Sequence, residues 1–216
     1  MNFVELFSGS GTVTEEFKRS GHKTFSVDIR RRKGICEPDL KMDIMKLTPA
    51  DIPFSKIHAL WMSIPCDVWS YAAGALHWRG NLAMTGKAIK HLALFKKCLA
   101  LIEKLSPDYF FLENPRGRLR YRKEMIDFLC RNNGMIKTIT LSSYGFPSTK
   151  PTDIFTNALD IKFSAADKFG RGAKCSRRIK DNFTKCQRQK TPHLLAECIR
   201  EYCEGKILNG ERGHFL

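Results

Sequence analysis

Residues 2–28 constrain the fold most. "NFVELF" is a short apolar run and "SGSGT" a glycine-rich turn. "VTEEFKRSG" has the pattern of a helix, with Thr12 as its N-cap and Gly21 as its stop, and "KTFSVDI" is a second apolar run ending in an acid. Strand, turn, helix and strand in that order build a parallel sheet. The alternation continues with "MDI" on a short third strand and "IHALWM" as a fourth. "TGKAIKHLALFKKCLALIEKLS" is a helix whose Ala88, Leu92, Phe95, Leu99 and Ile102 form one stripe, and "PDYFFLENP" is a fifth strand. "YRKEMIDFLCRNNG" reads as a helix, "MIKTITLSSYG" and "DIFTNA" as strands, and "TPHLLAECIREYCEG" as a last helix stopped by Gly205. Tyr71 to Met84 reads as a loop. The expected fold is α/β, a mostly parallel sheet with helices on both faces.

Ligands of such sheets bind beyond the carboxyl ends of the strands. Those ends carry Gly9 and Gly11, Asp28, Asp43, Cys66 and Glu113. The glycine turn lets backbone approach a ligand, and a helix N-terminus favours polar or anionic groups. Asp28, nineteen residues after Gly9, stands where an acid meets ribose hydroxyls. Asp43 suits either an exocyclic amine such as that of adenine or a turn. Cys66 follows Pro65 in "SIPCDVWS", at a polar strand end where a nucleophile fits better than a core thiol. Glu113 sits at the lip of an apolar strand. Burial there raises its pKa, while Arg116, Arg118 and Arg120 would lower it, so the residues alone leave the sign open.

The chain has 216 residues and a formal charge of +15, which points to a polyanionic partner, nucleic acid first. Residues 162–190 hold ten Lys or Arg against two acids and read as a small, basic, loop-rich insert. Residues 1–160 are expected to form the catalytic domain, 161–190 the insert, and 191–216 a helix packing back on that domain. With no secretory signal and no bilayer-length apolar run, the expected setting is cytoplasmic. The eight cysteines are expected to be thiols and form no CxxC pair. Cys175, Cys186 and His193 with Cys198 or Cys203 match no common zinc spacing, so no metal is expected.

In this order the pieces resemble the DNA cytosine-5 methyltransferases. Phe7-Ser8-Gly9-Ser10-Gly11 is similar to the family's first motif, Asp28 to its second, and Asp43-Ile44 to its third. Pro65-Cys66 with Ser70 resembles the catalytic motif, Glu113-Asn114 the Glu-Asn pair, and Tyr144-Gly145-Phe146-Pro147 the Tyr-Gly-x-Pro segment. Thr191-Pro192 with Leu195-Ala196 echoes the closing helix. The collinear match covers almost the whole chain.

The resemblance implies a Rossmann-like methyltransferase fold that uses S-adenosylmethionine. Its cofactor contacts would be Phe7, Ser8, Gly9, Gly11, Thr12, Asp28, Ile29, Asp43, Ile44, Pro65, Gln189 and Lys190. Cys66 would bond C6 of a cytosine flipped from duplex DNA, with Glu113, Asn114 and Lys150 completing the catalytic set. Ser70, Arg116, Arg118, Arg120, Arg177 and Arg178 would contact nucleic acid, and a monomer is expected.

Several positions depart from the family. Asp67 replaces a Gln, Pro115 a Val, and Ser148, Lys150 and Thr152 the "Q-x-R-x-R" segment. Gln189 followed by Lys190 stands where an Asn is usual. The short recognition region is similar to the compact type found in phage genomes. Lys190 or Lys150 could pair with the extra carboxylate of carboxy-S-adenosylmethionine, giving carboxymethyl transfer. A tRNA cytosine methyltransferase, a binding protein without turnover and an NAD enzyme are the rival readings.

Overall fold

The computed structural model describes residues 1–29, 37–146, 150–163 and 190–210. The chain forms β1 (Asn2–Leu6), α1 (Thr12–Arg19), β2 (Lys23–Asp28), β3 (Leu40–Lys41), β4 (Ala59–Ser63) and α2 (Tyr71–His77). The hairpin strands β5 (Trp78–Arg79) and β6 (Leu82–Ala83) follow, then α3 (Gly86–Leu105), β7 (Tyr109–Pro115) and α4 (Lys123–Arg131). The last elements are β8 (Met135–Thr140), β9 (Pro151–Thr156) and α5 (His193–Leu208).

Seven strands make one sheet in the order β3-β2-β1-β4-β7-β9-β8. β1 pairs in parallel with β2 and β4, β2 with β3, and β4 with β7. β9 runs antiparallel to both β7 and β8. The fold is thus a doubly wound, Rossmann-like α/β sheet with one reversed strand. Because that strand is reversed, its start, not its end, lies at the carboxyl edge of β7. Thr152 pairs with Pro115 and Ile154 with Glu113.

Successive side chains of a strand point to opposite faces. Val4, Leu60, Met62, Phe110 and Leu112 pack with Ala88, Phe95, Leu99 and Ile102 of α3 and with Met125 and Phe128 of α4. Phe3, Ala59, Trp61, Tyr109 and Phe111 pack on the other face with Val13 and Phe17 of α1 and with Leu195, Ala196 and Ile199 of α5. Phe3 and Phe17 stack with ring centroids 3.8 Å apart. Among the described residues no helix is long and apolar enough to cross a membrane.

Four expectations need correction. Thr12 is not the N-cap of α1. Gly11 holds that position at φ 68, and the Thr12 hydroxyl lies 2.9 Å from that of Ser10. Tyr71 to Met84 is not a loop but α2 and the β5-β6 hairpin, held by antiparallel pairing and by Trp69 stacked on Trp78 at 4.9 Å. The third strand is Leu40–Lys41, so "MDI" lies just past it. Gly205 does not stop α5, which runs to Leu208. Lys206 in that extra turn binds Asp160 at 2.6 Å, an anchor that offsets the roughly 1 kcal/mol helix cost of a glycine.

Candidate active site

Three loops meet at the carboxyl edge of the sheet. The first is the turn after β1. Phe7, Gly9 and Gly11 all have positive φ (58, 54 and 68), so the backbone doubles back within five residues before α1 begins. Such a φ is costly for a residue as bulky as Phe7, and strained backbone of this kind clusters at ligand sites. Gly11 donates to the Ser8 carbonyl at 2.7 Å, and Ser8 to that of Val27 at 3.2 Å. Gly9 N–H donates to Asp28 Oδ2 at 2.9 Å, so the acid ending β2 closes the turn.

Ile29, next to Asp28, is exposed, whereas Ile44 is buried in the core. Ile44 therefore reaches a ligand at most through its backbone. Asp43 Oδ1 accepts from Met45 N at 3.0 Å, the turn role set out as one of its two readings. The glycine turn and Asp28 fit an adenosyl cofactor: the turn brings backbone close without side chains, beside a carboxylate. Asp43 adds a second acid on the same edge.

The second loop follows β4. Cys66 is a half-buried free thiol. Its carbonyl accepts from Trp69 N at 3.0 Å and Ser70 N at 3.4 Å, making a tight turn that runs straight into α2. Burial pushes the thiol above its usual pKa. The Lys150 ammonium opposes this, and the Glu113 and Asp67 carboxylates add to it. Asp67 is itself balanced by Lys87 at 3.4 Å.

The third loop ends β7. Ser63 and Glu113 are register partners, so their side chains share a face. Trp61 Nε1 donates to Ser63 Oγ at 2.9 Å, and the Ser63 hydroxyl bonds the Glu113 carboxyl. Burial raises the Glu113 pKa, while Lys150 and Ser63 pull it down. The net rise gives the sign that the sequence left open: burial outweighs Lys150 and Ser63, and the carboxyl holds its proton more tightly than a free one. Asn114 is fully buried on the opposite face and donates from Nδ2 to the Ile64 carbonyl at 2.9 Å, tying β7 to the segment that carries Pro65 and Cys66. Gly117 bridges Ser70, and Arg118 N donates to the Trp69 carbonyl at 2.7 Å.

Lys150 arrives through the reversed strand: it immediately precedes β9 and acts electrostatically on both Cys66 and Glu113. The structure thus brings Cys66, Glu113, Asn114 and Lys150 to one edge. This arrangement offers a thiol, a carboxyl whose proton affinity is raised and a cation acting on both.

The remaining expected residues lie elsewhere. Lys190 is exposed before α5. Arg116 is exposed at the rim, and Arg118 lies across Gly74. Arg120 is committed within the fold, 3.2 Å from the buried Asp153 and 3.0 Å from Thr138 Oγ1. That ion pair works against the contact with nucleic acid expected of it. Gln189, Arg177, Arg178, Cys175 and Cys186 lie outside the described residues. Among the described residues no group of three or more His, Cys, Asp or Glu could hold a metal ion.

Sequence reasoning missed Ser63, Gly117 and the buried Glu5. Glu5 lies on the same face as Glu113 and accepts from Thr14 N at 2.8 Å and from the Thr14 hydroxyl. Burial raises its pKa to about 7. An acid at the interior of an otherwise apolar strand was the available signal.

Comparison with known proteins gives a consistent result. The profile of the C-5 cytosine-specific DNA methylases matches residues 1–145. A Frog virus 3 protein named "Probable DNA (cytosine-5)-methyltransferase" is 27% identical over 129 residues, 56% of each chain. Among solved structures, a candidate DNA modification methyltransferase encoded within an E. coli prophage superposes with a TM-score of 0.53 at 17% identity, covering 76% of this chain and 49% of that one. A methyltransferase of Entamoeba histolytica superposes at 0.54 and 18% identity, covering 76% and 55%. At such identities the structural likeness is one of fold. The chain spans about half the length of these relatives.

Proposed function

The chain belongs to the C-5 cytosine-specific DNA methylase family, and on that premise we propose that it transfers a methyl group from S-adenosylmethionine to C5 of cytosine in DNA. The observation that carries this reading is the convergence of Cys66, Glu113 and Lys150 on one sheet edge. S-adenosylmethionine, when bound, supplies an electrophilic methyl group. Phe7, Ser8, Gly9, Gly11, Thr12, Asp28, Ile29, Asp43 and Pro65 are the residues that would hold it.

The remaining chemistry belongs to the chain. Cytosine C5 is a poor nucleophile until a bond forms at C6. The Cys66 sulfur makes that bond, and the Glu113 proton is delivered to N3, so the electron pair is placed on C5 rather than on an anionic ring. The two groups help one another. When Glu113 is protonated it no longer raises the Cys66 pKa, and Lys150 then favours the thiolate against burial and Asp67 alone. Asn114 holds the Ile64 carbonyl and with it the height of the Pro-Cys segment. The C5 proton is later lost to water, the C6–S bond breaks to release Cys66 as a thiolate, and N3 returns its proton to Glu113, which restores the ring.

The ring must be attacked on its face, so the substrate cytosine leaves the stack of a duplex. Residues 161–190 are assigned as the recognition segment, Ser70, Arg116 and Arg118 as contacts to DNA, and the chain as a cytoplasmic monomer. The test is nucleoside mass spectrometry after incubation with duplex DNA and S-adenosylmethionine. The reading requires 5-methylcytosine. Product only on a hairpin RNA would replace DNA by tRNA as substrate, and no product with either would leave a binding protein.

A second reading rests on Lys150, a cation beside the catalytic pair where it could meet an added carboxylate. Supplying carboxy-S-adenosylmethionine should then yield 5-carboxymethylcytosine, and Lys150→Met should abolish that product at every pH while methylation is only displaced to higher pH.

A further inference from the structure

Tyr71 and Tyr121 are large rings, 54% and 59% exposed, and their hydroxyls lie 3.3 Å apart. They lie beside the candidate site. Tyr71 is the first residue of α2, directly after the Cys66–Ser70 turn. Tyr121 closes the short helical turn that follows Gly117, the residue bridged to Ser70. The guanidinium of Arg120 stands 5.9 Å from the centre of the Tyr121 ring and is itself fixed by Asp153 and Thr138. Arg120 therefore buttresses the ring.

Next to this pair are two further cations. Arg116 is exposed. Arg118 passes so close to Gly74 that a Cβ there would lie 2.4 Å from its Nε, and that Nε is buried without a hydrogen-bond partner. Neither enters an ion pair among the described residues. Exposed aromatic rings interleaved with unpaired arginines suit a nucleic-acid strand: bases stack on the rings, and phosphates sit on the guanidinium groups.

We infer that Tyr71 and Tyr121 form a base-stacking platform for unpaired bases of the DNA strand entering the Cys66 site, with Arg116 and Arg118 holding its phosphates. The inference rests on the cytosine-modifying reading and deepens it, because it places strand capture on the catalytic fold itself. Intact duplex covers the faces of its bases, so the platform favours single-stranded or locally opened DNA.

The test is fluorescence anisotropy of the full chain with a labelled single-stranded deoxyoligonucleotide, its duplex and the matching RNA. Tyr71→Ala and Tyr121→Ala should each weaken single-strand binding about tenfold and duplex binding less. Tyr71→Phe and Tyr121→Phe, which keep the ring and lose only the hydroxyl contact, should bind within about twofold of the parent. Arg116→Gln and Arg118→Gln should flatten the salt dependence, whereas the tyrosine variants leave it unchanged. Thermal melting verifies that each variant is folded.

Alanine variants that bind like the parent overturn the platform, as do phenylalanine variants that lose as much as alanine. Tighter binding to RNA than to DNA overturns the choice of polymer. Covalent trapping on 5-fluorocytosine DNA separates this inference from the activity. A parent that traps, with alanine variants of unchanged DNA half-saturation, rejects the platform alone. A parent that binds DNA through the tyrosines but never traps rejects the activity alone.

Discussion

Replacing Gly117 by alanine strikes at the join between the two loops that carry Cys66 and Glu113. Gly117 has φ −173, an extended conformation open to any residue, so torsion does not demand a glycine here. Space does. A Cβ at this position would lie 2.2 Å from the Trp69 carbonyl oxygen and 3.1 Å from Ser70 Cα. To restore ordinary contact the carbonyl must retreat by about 1 Å. That carbonyl also accepts the Arg118 N–H, so its movement strains a 2.7 Å hydrogen bond. Overpacking of this kind costs about 1–3 kcal/mol. The kinetic effect is larger, because Trp69 and Ser70 belong to the turn that closes on the Cys66 carbonyl, and a misplacement of about 1 Å costs roughly 100-fold in rate. The assay is the rate of covalent adduct formation with 5-fluorocytosine DNA, read beside thermal melting and S-adenosylmethionine affinity. Gly117→Ala should trap roughly 100-fold more slowly while cofactor affinity holds. Gly86→Ala, with nothing within 4 Å of the added carbon, should match the parent. Trapping by Gly117→Ala at the parental rate would refute the reasoning.

Glu5 is expected to make stability depend on pH. Burial pushes its folded pKa up from the ordinary 4.5 to about 7, so the fold favours the protonated form. Stability from that proton is complete below about pH 4.5 and is lost as pH rises through 7, by at most about 3 kcal/mol. Glu5→Gln removes the titration. Melting temperatures should therefore show the variant gaining on the parent between pH 5 and pH 8, and parallel curves would contradict the assignment. Lys150→Met should move the alkaline rise in adduct rate to higher pH, because Lys150 pulls the Cys66 and Glu113 pKa values down. An unchanged pH profile would show that Lys150 does not act on the thiol.

Much of the sheet edge was legible because its signals are local. A glycine turn between strand and helix, an acid ending the next strand, and Pro-Cys and Glu-Asn at strand ends are readable within a few residues. The α2 segment and its hairpin were harder. The helix is seven residues long and contains Gly74, and each hairpin strand has two residues. The Gly80-Asn81 pair between them was the one local cue, and Gly80 does adopt φ 58. Lys150 illustrates a different limit. Its place beside Cys66 and Glu113 depends on β9 running antiparallel between β7 and β8, a pairing between distant segments that no local pattern encodes. The Trp61–Ser63–Glu113 contacts likewise depend on the register of β4 with β7. The helix extension past Gly205 depends on Asp160, some forty-six residues earlier.

The central claim is that the Cys66 sulfur bonds the cytosine ring. The direct measurement is intact-protein mass spectrometry after incubation with 5-fluorocytosine DNA and S-adenosylmethionine, for the parent and for Cys66→Ser. The parent should gain the mass of one oligonucleotide, held through the peptide that contains residue 66, and the serine variant should gain none. A parent that methylates ordinary DNA with no such adduct, or a serine variant that methylates as fast, would contradict the account.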